Sequence, residues 1–495
     1  MDQLGLSPPP SKSSLLGVNA SVESPGSSVF DLPIQPAAST STIAIRSPPI
    51  LLQLASSRTA GNFEEANNLS FVIISGGTGG NAICSAFGNA CYVLPVSDDG
   101  GSSSEIIRVL GGPSIGDIRS RLVRLIPAAP SSSPLEAIRH FLSYRLPAKC
   151  DEKEARDEWR DIVEGRSPLW TGIPNDRKET IRGFLVYFES ELLRRAHKNF
   201  DFRNGSCTKF LPISPLRHIL ILAAILPVIV TNHTVTIAAE LENGTRLVGQ
   251  CEISHPVPQG ATFEAVSDDP LSPIEGLGER ISQKQNVMFE HGAKAHFESL
   301  VSPIARLFYI NAYGMEIHPA PNPDYLANLD EREVLIYSCG SLWTSIIPCL
   351  ALRGVAASIA RSSKLRAKIL LCEYIQPRHP AYTDTEGVNV ENDRETERYT
   401  AVDYILTITK TLNSSYQAAP YGLGNANTTY PVSAFVTHLV YLEGANVPID
   451  VRHITALGVR CMRIKHEGHD NGEAPRYNPT NVQRAVNEIL RGLEC

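Results

Sequence analysis

A doubly wound α/β sheet is the fold that this sequence predicts, and three observations near residue 70 predict it. Leu69–Ser75, LSFVIIS, is a short β-branched run without polar alternation, as expected of a strand buried on both faces. The glycine-rich loop GGTGG at 76–80 joins it to a small-residue stretch, AICSAFG, suited to a helix packed closely on a sheet. A second apolar run, CYVLPVS at 91–97, then ends at DDGGSSSE. Strand, glycine loop, helix and strand in that order open a mostly parallel sheet.

The flanking segments bound this domain. Residues 1–68 are rich in Ser, Pro, Ala and Gly, a composition that buries too little apolar surface to offset ordering entropy, so a disordered leader is expected. It carries Ser-Pro pairs at Ser7, Ser24 and Ser47, the type of site that is phosphorylated, although a plain flexible tail needs none of them. Residues 69–465 read as one domain, and 466–495 as a polar tail with a short terminal helix over Asn481–Leu493.

Within the domain, residues 117–145 look helical, with Ile118, Leu122, Leu125 and Ile126 at helical spacing. The charged stretch 151–164 follows, and Ile181, Phe184, Leu185, Phe188 and Leu192 mark one face of a helix over 177–198. A helical insertion over about 150–205 is expected beside the sheet. Thr234–Ile253 alternates like a hairpin turning at Asn243-Gly244. Leu307–Asn311, Val334–Ser338, Lys368–Glu373, Ala434–Leu442 and Val459–Ile464 are further short strands.

Composition excludes several classes of function. The 495 residues are 42% hydrophobic and 20% charged, near the globular average. With 52 acidic against 45 basic residues, the net charge of −7 argues against a nucleic-acid partner. The longest apolar run, His218–Val230, is interrupted by Pro227 and falls short of the ~20 residues that cross a bilayer, so no membrane association is expected. No basic-then-apolar signal opens the chain, and ten cysteines include no C-x-x-C pair, so a cytoplasmic protein with reduced thiols is expected.

Four loops carry the chemistry. Gly76, Gly77, Thr78 and Gly79 offer a phosphate close backbone approach and the unpaired N–H groups of a helix start. Gly77-x-Gly79-x-x-Ala82 also satisfies a dinucleotide pattern, with Asp98 nineteen residues beyond Gly79. Asp98 and Asp99 sit where a second strand ends, able to hold Mg²⁺, grip a ribose or accept a proton; a solvated Asp-Gly turn is the plainer reading. Gly116-Asp117-Ile-Arg119 follows, with Asp117 read as a helix cap or a catalytic acid and Arg119 as a phosphate contact or an ion-pair partner. Far along the chain, Gly340, Ser341, Thr344 and Ser345 join another buried strand to a helix start that contains Pro348. Two anion loops in one sheet point to a ligand containing a diphosphate.

Of the other polar residues, Asp384, Glu386 and Arg394–Asp403 form a charged stretch in which Thr400 caps the helix bearing Asp403. His255, His318 and His438 have no metal-ligand spacing.

In this order, GGTGG, SDDGGSSSE, GDIRSRL, FDFRNGS, NGTRLVGQCEISHP, YSCGSLWTSIIP and RYTAVDYI resemble the motif set of the CofD superfamily. That superfamily holds the 2-phospho-L-lactate transferases of deazaflavin-coenzyme biosynthesis and the YvcK-type gluconeogenesis factors. The forms DDGGSS, GDIR and GSLWTS are closer to the YvcK-like branch. The resemblance implies a Rossmann-like three-layer sandwich with a helical and hairpin insertion. It also implies a nucleotide-diphosphate or nucleotide-sugar ligand, and for the transferases a Mg²⁺-assisted transfer of a phospholactyl group to a ribityl hydroxyl. YvcK-like proteins instead bind a UDP-sugar and regulate, and a NAD-dependent dehydrogenase is the remote third reading. Carried over, Gly76–Gly79 would line the nucleotide loop, Asp98 and Asp99 the metal or acceptor edge, and Gly340, Ser341, Thr344 and Ser345 the diphosphate. Asn204 and Gly205 match a motif at the cleft. A homodimer stays open. The chain departs from the pattern at Cys207–Pro215, where the family continues with Gly-Asn and an apolar helix.

Overall fold

The computed structural model of the chain describes residues 69–113, 115–127, 129–195, 197–210, 224–254, 300–372, 394–396, 398–414, 429–444, 447–465 and 476–494. The expected leader, Asp384, Glu386, His255 and most of the off-pattern stretch after Phe210 lie outside them.

Eleven strands are described. In chain order they are β1 (Ser70–Ile74), β2 (Asn89–Leu94), β3 (Ala224–Pro227), β4 (Thr236–Leu241), β5 (Arg246–Val248), β6 (Ile304–Ile310), β7 (Glu316–Ile317), β8 (Val334–Tyr337), β9 (Ala367–Leu371), β10 (His438–Leu442) and β11 (Arg460–Ile464). Seven form one sheet in the order β3-β2-β1-β8-β9-β10-β11, with every neighbouring pair parallel. The strand order reverses between β1 and β8, where Ile74 stands opposite Tyr337. Open α/β sheets bind ligands beyond the C-terminal ends of strands at such a reversal.

Because side chains alternate along a strand, β1 feeds two cores. Phe71 and Ile73 join the core beneath helices Gly77–Ile83, Ile118–Leu125, Pro134–Ser143, Glu152–Glu164, Asn175–Leu193 and Pro479–Glu494. Val72 and Ile74 face the opposite core, with helices Pro323–Glu331, Val355–Arg361 and Ala401–Ser414. The smaller antiparallel sheet, β5-β4-β6-β7, contributes Ile237, Ala239, Leu307 and Tyr309 to that second core. This is the Rossmann-like three-layer α/β architecture.

Several expected boundaries move. The helix expected over 117–145 is two helices, since Ser133 accepts from Glu136 N–H and starts a new one with Pro134 in its first turn. The hairpin forms at Asn243-Gly244, but its return strand ends at Val248 and Gly249–Ser254 is helical. Leu307 lies in a strand of the antiparallel sheet. The apolar run near 218–230 supplies the edge strand β3 from Ala224, and among the described residues no single helix is long and apolar enough to cross a membrane. The terminal helix is no appendage: Val482, Ala485, Val486, Ile489 and Leu490 sit in the first core.

Candidate functional site

The loops after β1 and β8 meet at the reversal of strand order. A Cβ on Gly340 would lie 2.6 Å from the carbonyl oxygen of Gly76, and one on Gly76 would lie 2.7 Å from Ser345 Oγ. Only glycine allows this approach. Gly340 also has φ +146° and Gly77 φ +71°, backbone that favours glycine on its own account. Thr78 and Gly79 follow in the first turn of helix Gly77–Ile83. The two glycine loops, distant in sequence, therefore form one backbone surface.

A carboxylate holds the first loop. Asp117 stands at the start of helix Ile118–Leu125 with φ +59°, yet its side chain caps nothing in that helix. Its Oδ2 accepts from Gly77 N–H at 2.6 Å, and its Oδ1 accepts from Asn81 Nδ2 at 2.9 Å. The expected cap is thus a strut between two loops. Below it, Arg121 is fully buried; it donates to Ser75 Oγ at 2.7 Å and to Gly80 C=O at 3.2 Å, with its guanidinium 4.8 Å from the Tyr92 ring centroid. Burial pushes its pKa down, opposed by the nearby Cys84, Tyr92, Asp117 and Cys339. Its Nε is sealed from solvent without an acceptor.

The second loop is held from the other layer. Residues Leu342–Ile346 form a π-helical turn, an irregularity common at functional sites. Ser341 Oγ accepts from Thr344 N–H at 3.2 Å and from Thr344 Oγ1 at 2.8 Å, and donates to Glu395 Oε1 at 2.5 Å. Ser254 Oγ reaches Thr344 Oγ1 at 3.3 Å and Glu395 Oε1 at 3.4 Å. The Ser341 and Thr344 hydroxyls, expected on a diphosphate, are engaged with one another and with Glu395. Glu395 is 3% exposed, its Oε2 meets no donor, and burial raises its pKa against the pull of Ser341. Ser345 is buried against Gly76, and Ser97 Oγ donates to Thr344 C=O at 2.8 Å, tying the end of β2 to the turn.

Asp98 and Asp99 are neighbours that diverge. Asp98 accepts from Ser103 Oγ and from Gly100 N–H at 3.3 Å, and lies against Gly116. Asp99 Oδ1 accepts from Cys251 N–H at 3.1 Å, and its Oδ2 presses on Gly249, whose φ is +84°. Among the described residues no three His, Cys, Asp or Glu side chains cluster to hold a metal. The pair therefore suits Mg²⁺ only in the mode where one carboxylate shares the ion with ligand phosphates.

Asn204, with φ +57°, lies in the FDFRNGS segment, where Arg145 Nη1 donates to its C=O at 2.8 Å and to its Oδ1 at 3.1 Å. Phe200 and Phe202 anchor that segment among Trp159, Phe188 and Phe210. The dinucleotide pattern is met in letters but not in packing: Ala82, the position for close helix–strand contact, is exposed, and Gly80 makes that approach to Ser75. His438 is buried at the start of β10, away from the loops; burial lowers its pKa to about 4. Thr400 and Asp403 cap one another as expected.

Sequence reasoning missed Glu395, Arg121, Arg145 and Ser254. Glu395 lies in a run of charges that reads as a solvated surface, and the run bears no sign that one carboxylate turns inward. The glycine before Asp117 was the one available signal that this segment approaches a neighbour.

Among known proteins, the chain is 30% identical to the uncharacterized protein YNL011C of Saccharomyces cerevisiae, over 85% of this chain and 99% of that one. A solved structure of a UPF0052 family protein of Bacillus halodurans, BH3568, matches at 17% identity and a TM-score of 0.48, covering 85% of this chain and 99% of the other. A second structure of BH3568 gives 18% and 0.47. The family described as 2-phospho-L-lactate transferase CofD matches residues 71–433. None of these matches separates the transferase branch from the YvcK-like branch. Covering most of the chain and both glycine loops, the match makes this protein a member of the CofD family.

Proposed function

We propose that the chain binds a nucleotide diphosphate across the β1 and β8 loops and transfers a phospho-group from it to a hydroxyl acceptor. The observation that carries this reading is the approach of Gly340 to the Gly76 carbonyl, which gives one diphosphate two backbone walls at the reversal of strand order. Gly76, Gly77, Thr78, Gly79, Gly340, Ser341, Thr344 and Ser345 would shape the cradle; the amides of Gly77, Thr344 and Ser345 are taken by Asp117 and Ser341, so the backbone N–H groups of the other five would be the donors. Asn204 would close its helical side. In the transfer, the acceptor oxygen forms a new P–O bond, the bond to the departing nucleoside phosphate breaks, and that group leaves with the electron pair. Asp98, whose carboxylate faces Gly116 and Ser103, would take the hydroxyl proton or anchor the metal; Asp99 would support that edge from Gly249. Mg²⁺ would supply charge neutralisation on the phosphates. A cytoplasmic setting is part of this reading.

Isothermal titration of the full chain with GDP and UDP-sugars, with and without Mg²⁺, tests the reading. Mg²⁺-strengthened binding is expected, and a folded sample that binds neither would overturn it. A second reading, a YvcK-like regulator that binds a UDP-sugar without turnover, is favoured by the engagement of Asp99, Ser341 and Thr344 in internal bonds. Release of free nucleotide from a phospholactyl donor would eliminate it.

A further inference from the structure

Helix Ile118–Leu125 brings two opposite charges to the first glycine loop. Asp117 and Arg121 lie one turn apart, joined by the bond from Arg121 N–H to Asp117 C=O at 2.9 Å. The Asp117 carboxylate is engaged by Gly77 N–H and Asn81 Nδ2. The Arg121 guanidinium is engaged by Ser75 Oγ and Gly80 C=O, beside the Tyr92 ring. Among the described residues neither side chain forms a salt bridge, with the other or with a third group.

The guanidinium sits under both loops. A Cβ on Gly80 would collide with Ser75 Oγ and would lie 3.3 Å from Arg121 Nη2 and 3.3 Å from the Cys339 carbonyl oxygen. Glycine at position 80 is what admits the contact. Ser75 and Cys339 immediately precede Gly76 and Gly340, the two glycines whose backbones meet.

As a structural tie alone, Arg121 is a costly choice. It is fully buried and its Nε meets no acceptor, whereas a methionine of similar volume would fill the space with no charge to desolvate. Its neighbour on the helix supplies a reason. Asp117 holds the loop by accepting the Gly77 amide, which puts a carboxylate beside Gly76 and Thr78, where a diphosphate would bring further negative charge. In a water-poor setting that repulsion is weakly screened. A cation one turn along offsets it without entering the loop, and a guanidinium keeps its proton even when buried.

We propose that Arg121 is a positioning residue for the diphosphate: its buried charge offsets the Asp117 strut and so keeps the first loop receptive to a highly charged phosphate chain. It acts through the loops and touches no ligand. The proposal rests on the nucleotide-diphosphate reading and deepens it by naming the charge balance that favours a diphosphate over a monophosphate.

Titration calorimetry of the full chain with GDP and UDP, each against its monophosphate and all with Mg²⁺, tests the proposal. The readout is the ratio of diphosphate to monophosphate affinity. In R121M this preference should shrink about tenfold. D117N keeps an oxygen for Gly77 N–H but drops the charge, so D117N/R121M should regain most of the lost preference. A merely structural Arg121 would lose affinity for both ligands alike and gain nothing from D117N. An unchanged preference in R121M, or no recovery in the double variant, overturns the charge balance. If R121M fails to fold by circular dichroism, R121K retains the charge. A preference within about threefold of wild type in that folded variant supports the proposal, and its loss overturns it. A wild type that binds neither diphosphate overturns the nucleotide-diphosphate reading and the charge balance together. A wild-type preference that R121M leaves intact overturns the charge balance alone.

Discussion

Gly340 and Gly76 touch through their backbones: a Cβ on the first would lie 2.6 Å from the carbonyl oxygen of the second. A methyl group there must part the loops or distort a residue at φ +146°. Gly340→Ala is expected to lower stability by about 1–3 kcal/mol and to abolish GDP binding. Thermal unfolding and titration calorimetry check both; full affinity would separate the contact from the ligand site.

Asp117 accepts the Gly77 amide, so Asp117→Ala should leave that N–H without its partner and loosen the first loop. A loss of about 1–3 kcal/mol is expected from the charged acceptor. Hydrogen exchange reads the site directly, and the Gly77 amide should exchange faster than in the wild type while β2 amides hold.

The Gly249 backbone has φ +84° and lies under the Asp99 carboxylate. Gly249→Ala should displace that carboxylate from Cys251 N–H and cost about 1–2 kcal/mol. If Asp99 is only a support, ligand affinity falls with the displaced edge but the Mg²⁺ dependence persists; metal titrations of G249A distinguish this from direct ligation.

Burial raises the Glu395 carboxyl pKa above its unfolded value. The unfolded chain therefore releases this proton at lower pH than the folded one, so the stabilisation is complete below the unfolded value and is lost as pH rises through the folded one. Glu395→Gln mimics the protonated form. Urea unfolding from pH 4 upward should show wild-type stability declining relative to E395Q as pH rises, with the variant more stable at neutral pH. Parallel curves would place the proton elsewhere.

How much of this was legible before the fold was known differs by layer. Strands β1, β2 and β8 announced themselves because a strand covered on both faces has no polar alternation, and the glycine-bearing loops at their ends marked the turns. The end of the hairpin at Val248 was not legible, because Gly249 at positive φ starts a helix held by distant partners, Asp99 about 150 residues earlier and Thr344 and Glu395 far beyond it. The site's supports were equally hidden. Arg121 belongs to a helix that reads as amphipathic and charged, yet it is buried because Ser75, Gly80 and Tyr92 receive it from a loop, another helix and a strand. Sequence patterns report local periodicity, and these contacts are long-range.

Ser70 N–H meets the Glu333 carboxylate across 263 positions of chain, at the foot of the two strands whose upper ends bear the glycine loops. On a ribosome adding about 5–20 residues each second, the first loop waits on the order of tens of seconds for its mate. Until then β1 has one open flank, a template for misplaced pairing. Slow maturation after synthesis is the expected consequence of where the chain places its eighth strand.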